Sequence, residues 1–185
     1  DSLLVLDGSS TETLIRQGFT TFPTGSMVYI NIARINGNAS VSATSHPKIT
    51  MNLMIGSAKQ FAYMPFNNDK LMLYARQENG TYAWEKTAFP SATSSPFELV
   101  IVRKDDGDSW GCMAVYGREG NSGDFAYIGE TRTSAVTGAS PSVEIGTKTL
   151  NGQDQDVTVD FIKVYNPKVE SGGGDDNTDP EPGPA

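Results

Sequence analysis

Two neighbouring stretches, Lys70-Leu-Met-Leu-Tyr-Ala-Arg76 and Thr81-Tyr-Ala-Trp-Glu-Lys86, bring aromatic rings close to side chains that hydrogen-bond in a plane. A ring face excludes water beneath an apolar C–H surface, while Arg, Glu and Gln offer paired donors or acceptors beside it. That combination suits a ligand with flat C–H faces and many hydroxyls. Tyr74, Arg76 and Glu85 form the first candidate set, with Tyr82 and Gln77 towards the tip. An ordinary solvated face with a diagonal Arg76–Glu85 pair is the plain alternative. Trp110, directly after Asp105-Asp-Gly-Asp-Ser109, either caps the core or forms an exposed platform. Tyr63 is a further candidate, but Pro65 interrupts the alternation that would fix its face.

The two stretches can be folded onto each other. Asn79-Gly80 is the preferred central pair of a two-residue type I′ turn. It sets Gln77 opposite Tyr82, Ala75 opposite Trp84 and Leu73 opposite Lys86. Side chains alternate faces along a strand. One face then carries Leu71, Leu73, Ala75 and Trp84, with Gln77 and Tyr82 near the tip. The other carries Met72, Tyr74, Arg76, Ala83 and Glu85. The first is the more apolar, so Trp84 is expected to pack inward; it joins the binding set only if it is exposed.

Elsewhere the chain repeats short runs of two-residue alternation separated by Gly, Pro, Asn, Asp and Ser, with no convincing helical period. Strands are expected over 3–6, 27–35, 49–55, 60–64, 70–76, 81–86, 97–104, 110–116, 125–129, 142–145 and 156–165. So many strands in one domain imply a β-sandwich of two packed antiparallel sheets. Residues 1–169 suit one domain. From Ser171 onward no apolar side chain exceeds proline or alanine, and residues 170–185 read as an acidic Gly/Pro-rich linker, disordered and leading to a further covalently attached module.

The last third carries a resemblance. Phe97-Glu-Leu-Val-Ile-Val-Arg-Lys104, Trp110 to Tyr116, Phe125-Ala-Tyr-Ile-Gly129, Ser142-Val-Glu-Ile-Gly146 and Val157-Thr-Val-Asp-Phe-Ile-Lys-Val-Tyr165 follow in an order that resembles the concanavalin A-like lectin/glucanase superfamily. The resemblance implies a jelly roll of the kind attached to polysaccharide-degrading enzymes. It also implies a secreted or cell-surface location, bacterial origin, and a polysaccharide or oligosaccharide partner. Calcium is common in that superfamily, and Asp105, Asp106 and Asp108, or Asp154 and Asp156, could supply oxygen ligands. Neither group has the spacing of a calcium loop, and a solvated turn is the better reading of each.

Catalysis is not expected. Glucanases of the superfamily carry Glu-x-Asp-x-x-Glu on one strand, and no Glu here has Asp two residues later. The only histidine, His46 before Pro47, lacks the Gln-x-His element of jelly-roll lyases. Glu85 and Glu144 are the carboxylates left to consider. A net charge of −8, with four acidic residues in the tail, argues against a nucleic-acid or anionic-membrane partner. No apolar run reaches the roughly 20 residues of a membrane helix. Cys112, the only cysteine, cannot form an internal disulfide and is expected to be a small buried side chain. The domain is expected to be a monomer. The rival reading is a structural spacer or protein-binding adhesin domain of a bacterial surface protein.

Overall fold

The computed structural model describes residues 4–7, 13–18, 22–36, 48–55, 58–64, 70–76, 81–90, 96–104, 111–133, 141–148 and 156–167. The strands are β1 (Leu4–Asp7), β2 (Thr13–Gly18), β3 (Met27–Asn36), β4 (Lys48–Ile55), β5 (Ala58–Met64), β6 (Lys70–Arg76), β7 (Tyr82–Lys86), β8 (Phe97–Lys104), β9 (Gly111–Glu119), β10 (Ala126–Thr133), β11 (Pro141–Lys148) and β12 (Asp156–Tyr165). They form two antiparallel six-stranded sheets. The first runs β1-β12-β3-β8-β9-β10 and the second β2-β11-β4-β5-β6-β7. Chain neighbours lie in different sheets at both ends of the sequence, as a jelly roll requires.

Alternation builds the core. In β3, Val28, Ile30 and Ile32 point inward while Tyr29 and Asn31 point out; in β8, Phe97, Leu99 and Ile101 do the same around Glu98. Leu53, Leu71, Leu73, Val143 and Ile145 of the second sheet face them. Burial of these branched side chains contributes about 1.5–3 kcal/mol each, the largest favourable part of folding. Cys112 is buried, as expected of a small apolar filler.

Two glycines let the sheets approach at the β9–β10 end. A Cβ on Gly117 would lie 2.6 Å from Ile128 Cδ1 and 2.8 Å from Phe89 Cζ, and one on Gly129 would lie 2.7 Å from Leu73 Cδ1. Either methyl would have to displace a neighbour.

β2 departs from the sequence reading, which left residues 13–18 outside any strand. Of its described side chains only Ile15 packs against the core, while Arg16 and Gln17 are exposed. It lies at the edge of the second sheet, paired only with β11.

Candidate functional site

β6 and β7 pair as Met72–Lys86, Leu73–Glu85, Tyr74–Trp84, Ala75–Ala83 and Arg76–Tyr82. Relative to the type I′ expectation the register is slipped by one residue. Residues 77–81 separate the last pair, an odd number that a two-residue turn at Asn79-Gly80 cannot close. A slip of one moves every side chain of a strand to the other face. Trp84 therefore does not pack inward beside Leu73. It stands opposite Tyr74 on the outer face and is 38% exposed.

The physical reason for this correction lies just beyond β7. Phe89, not Trp84, packs against the core here, with its ring edge-to-face on Phe97 at 5.8 Å. Its backbone is tied to β6: Leu71 N–H donates to Phe89 O at 2.8 Å, and Thr87 N–H donates to Leu71 O at 2.9 Å. With one aromatic already filling the core edge, the tryptophan is left on the surface. Glu85 is displaced by the same slip. It stands opposite buried Leu73 and not on the face of Tyr74.

On the outer face of the second sheet, the Tyr74 and Trp84 rings lie 5.1 Å apart and are tilted by 56°. Half-buried Met72 and exposed Lys86 form the next register pair. Sequence reasoning put Met72 on this face but missed Lys86, because the assumed turn sent it to the other side. Arg76 and Tyr82 are paired in register at the end of the hairpin, on the backbone positions that share this face. Tyr63 pairs with Leu71, the position of a buried side chain. The side chains of Arg76, Tyr82 and Tyr63 lie outside the described residues, as do Gln77, Trp110, His46, Asp105, Asp106, Asp108, Asp154, the side chain of Asp156, and the segment 170–185. Among the described residues no group of three or more His, Cys, Asp or Glu could hold a metal ion.

Further along this face a register row crosses the whole sheet: Arg16 (β2), Glu144 (β11), Asn52 (β4), Ala62 (β5), Met72 (β6) and Lys86 (β7). Arg16 is in ion-pair contact with Glu144 Oε1. Glu144 and Glu85 lie on strands four inter-strand steps apart, about 19 Å at the usual spacing, well outside the roughly 5–10 Å of a glycosidase pair.

The outer face of the first sheet carries a second polar cluster, one that sequence reasoning missed. Asn31 Nδ2 donates to Glu98 Oε1 at 2.7 Å, and Arg118 Nε donates to Glu98 Oε2. Arg118 Nη1 also donates to Gly123 O at 2.8 Å and Nη2 to the Tyr29 hydroxyl at 3.3 Å, while the guanidinium lies 4.6 Å from the centre of the Phe125 ring. Tyr29 meets Phe161 and Phe125 edge-on. Burial, reinforced by Glu98, raises the Tyr29 pKa. Arg118 is held by Glu98, Tyr29 and the β9–β10 turn at once, so this cluster acts as a strut. Its members come from β3, β8 and β9 and meet only through register; the one local signal was a Glu inside the apolar run of β8.

Solved structures share this architecture. A variant of human galectin-16 is similar over 83% of this chain and 95% of its own, with 13% identity and a TM-score of 0.50. A legume lectin-like domain from Entamoeba histolytica is similar over 90% of this chain and 84% of its own, with 7% identity and a TM-score of 0.53. The chain has a lectin-like jelly-roll fold. At these identities the likeness concerns the fold alone. No protein-family model and no curated protein matches the sequence.

Proposed function

We propose that this domain is a non-catalytic carbohydrate-binding module that holds a polysaccharide on the outer face of its second sheet, with Trp84 and Tyr74 as the platform. The observation that carries the reading is Trp84: a tryptophan 38% exposed, stacked beside a second aromatic ring on an open sheet face. An exposed indole beside a second ring offers an apolar face that a sugar ring can cover, while its N–H stays free to hydrogen-bond. A domain acting only as a spacer would gain stability by burying it.

Rings tilted by 56° cannot both lie flat under one planar surface. The platform thus suits a single, twisting glycan chain better than the face of a crystal. Aromatic stacking and a few hydrogen bonds to a solvated sugar give affinities in the micromolar to millimolar range, about −4 to −8 kcal/mol. Tethered through its linker, such a module would raise the local concentration of an attached enzyme or cell surface at the glycan, in a secreted bacterial setting. Non-catalytic action agrees with the missing Glu-x-Asp-x-x-Glu strand and with the separation of Glu85 from Glu144.

The test is affinity gel electrophoresis through cellulose derivatives, xyloglucan, xylan, mannan, pectin, β-glucans and soluble starch. Retardation by one of these, abolished in Trp84→Ala, is the expected result. No retardation of wild type in any gel would refute the proposal for these glycans and favour the spacer or adhesin reading, and equal retardation of both proteins would refute the Trp84 platform.

A further inference from the structure

The register row across the second sheet links the aromatic pair to a distant ion pair. From Tyr74 on β6 to Glu144 on β11 there are three inter-strand steps, with a two-residue offset along the strands. At about 4.8 Å per step and 3.4 Å per residue the separation is roughly 16 Å. Asn52 and Ala62 hold the positions between. Platform and charged pair therefore lie on the same side of the sheet by register.

Two features of that pair go beyond a cross-strand contact. Glu144 is only 7% exposed although its strand position faces outward, and its Oε1, in ion-pair contact with Arg16, accepts no aligned hydrogen bond. A carboxylate has about four acceptor positions, and the guanidinium contact on Oε1 leaves room for a bound hydroxyl to add a hydrogen bond. The side chain covering it, Arg16, is itself 62% exposed and carries a planar fork of donors. A planar donor beside a planar acceptor matches adjacent hydroxyls of a sugar ring: the guanidinium turns to donate to one oxygen, and the uncovered carboxylate accepts the proton of the next.

We infer that Arg16 and Glu144 form a second, polar subsite of the same face, so that the domain grips a polysaccharide along its length and not by its end. The inference rests on the proposed binding at Trp84 and extends it across the sheet to β11 and β2. A disaccharide at the platform cannot reach the ion pair, whereas a hexasaccharide can.

The experiment is calorimetric titration of wild type, Trp84→Ala, Arg16→Ala and Glu144→Gln with disaccharides and hexasaccharides of the β-1,4-gluco, β-1,4-xylo, β-1,4-manno and α-1,4-gluco series. For the series that binds, the expected result is that Arg16→Ala and Glu144→Gln each weaken hexasaccharide binding about tenfold, as loss of a charged hydrogen bond does, and leave the disaccharide unchanged. Trp84→Ala should abolish both. Glu144→Gln keeps the shape of β11, so it reports on the subsite even if Arg16→Ala loosens β2. Equal affinity of Glu144→Gln and wild type for the hexasaccharide would overturn the subsite while leaving the platform intact. So would a loss of the same size at both lengths, which marks a structural ion pair. If Trp84→Ala binds like wild type, or no series binds at all, the proposed function fails and this inference with it.

Discussion

Gly117→Ala probes how closely the two sheets are set. The added Cβ would sit 2.6 Å from Ile128 Cδ1, 2.8 Å from Phe89 Cζ and 3.0 Å from Phe89 Cε2. Carbon atoms pack at about 3.5–4.0 Å, so each neighbour must retreat by roughly 1 Å. Ile128 can turn its terminal methyl aside. Phe89 has less freedom, because its ring meets Phe97 and its carbonyl accepts from both Leu71 N–H and Thr87 Oγ1. Overpacking of this kind costs about 1–3 kcal/mol, and replacing a strand glycine returns about 0.4–1 kcal/mol through the unfolded chain. The net loss is about 1–2 kcal/mol. For a domain of this size that lowers the thermal midpoint by about 2–8 °C. The assay is thermal unfolding by circular dichroism, with Ile128→Val as partner because valine lacks the Cδ1 that the new methyl meets. The double variant should be more stable than the sum of the single changes by about 0.5 kcal/mol or more. An unchanged or raised midpoint for Gly117→Ala, or strict additivity with Ile128→Val, would refute the packing argument.

Further expectations follow from other contacts. Gly129→Ala, whose Cβ would meet Leu73 Cδ1 at 2.7 Å, should destabilise by about 1–2 kcal/mol and weaken glycan binding, since Leu73 precedes Tyr74 on β6; a melt and an affinity gel check both effects. Asn31→Ala removes the 2.7 Å hydrogen bond to buried Glu98 and should lower stability by about 1.5–3 kcal/mol in urea unfolding, with no change in glycan retardation. Burial raises the pKa values of Tyr29 and Tyr127, and the hydrogen bond to Glu130 raises that of Lys104. A raised pKa means that the protonated form is favoured in the fold, so these contributions are complete below about pH 10 and are lost as pH rises through the folded values. Thermal midpoints should therefore fall above about pH 10, less steeply in Tyr29→Phe; a midpoint that rises with pH in this range would contradict the assignment.

Much of the fold was legible because both sheets bury one face and the alternation is regular. β3 and β8 each put Val, Ile, Leu or Phe at every second position into the core, β12 does so with a bulge between Val159 and Phe161, and the extents of all three were read to within a residue or so. β2 was not legible, because at this sheet edge its described side chains put only Ile15 against the core and leave Arg16 and Gln17 exposed, which gives little alternation to read. At the candidate site, Tyr74 was placed on the open face from alternation alone. Trp84 was misplaced because a hairpin register depends on the turn, and one residue of turn length exchanges the two faces. Nothing local shows that Phe89 fills the core edge in its stead. The strut of Asn31, Glu98 and Arg118 and the Arg16–Glu144 pair join residues far apart in the chain, and only strand order brings them together.

The most direct test of glycan binding at the aromatic pair follows the indole N–H resonance of Trp84 by NMR, assigned as the signal lost in Trp84→Ala. Trp84 lies on the outer face and outside the core cluster, so Trp84→Ala should stay folded, which a thermal melt checks. Titration with the glycan that retards the protein in gels should move this resonance saturably, together with the backbone signals of Tyr74 and Lys86. A titration that instead shifts signals of Tyr127 and Tyr165 on the first sheet, while the Trp84 indole stays fixed, would contradict the account.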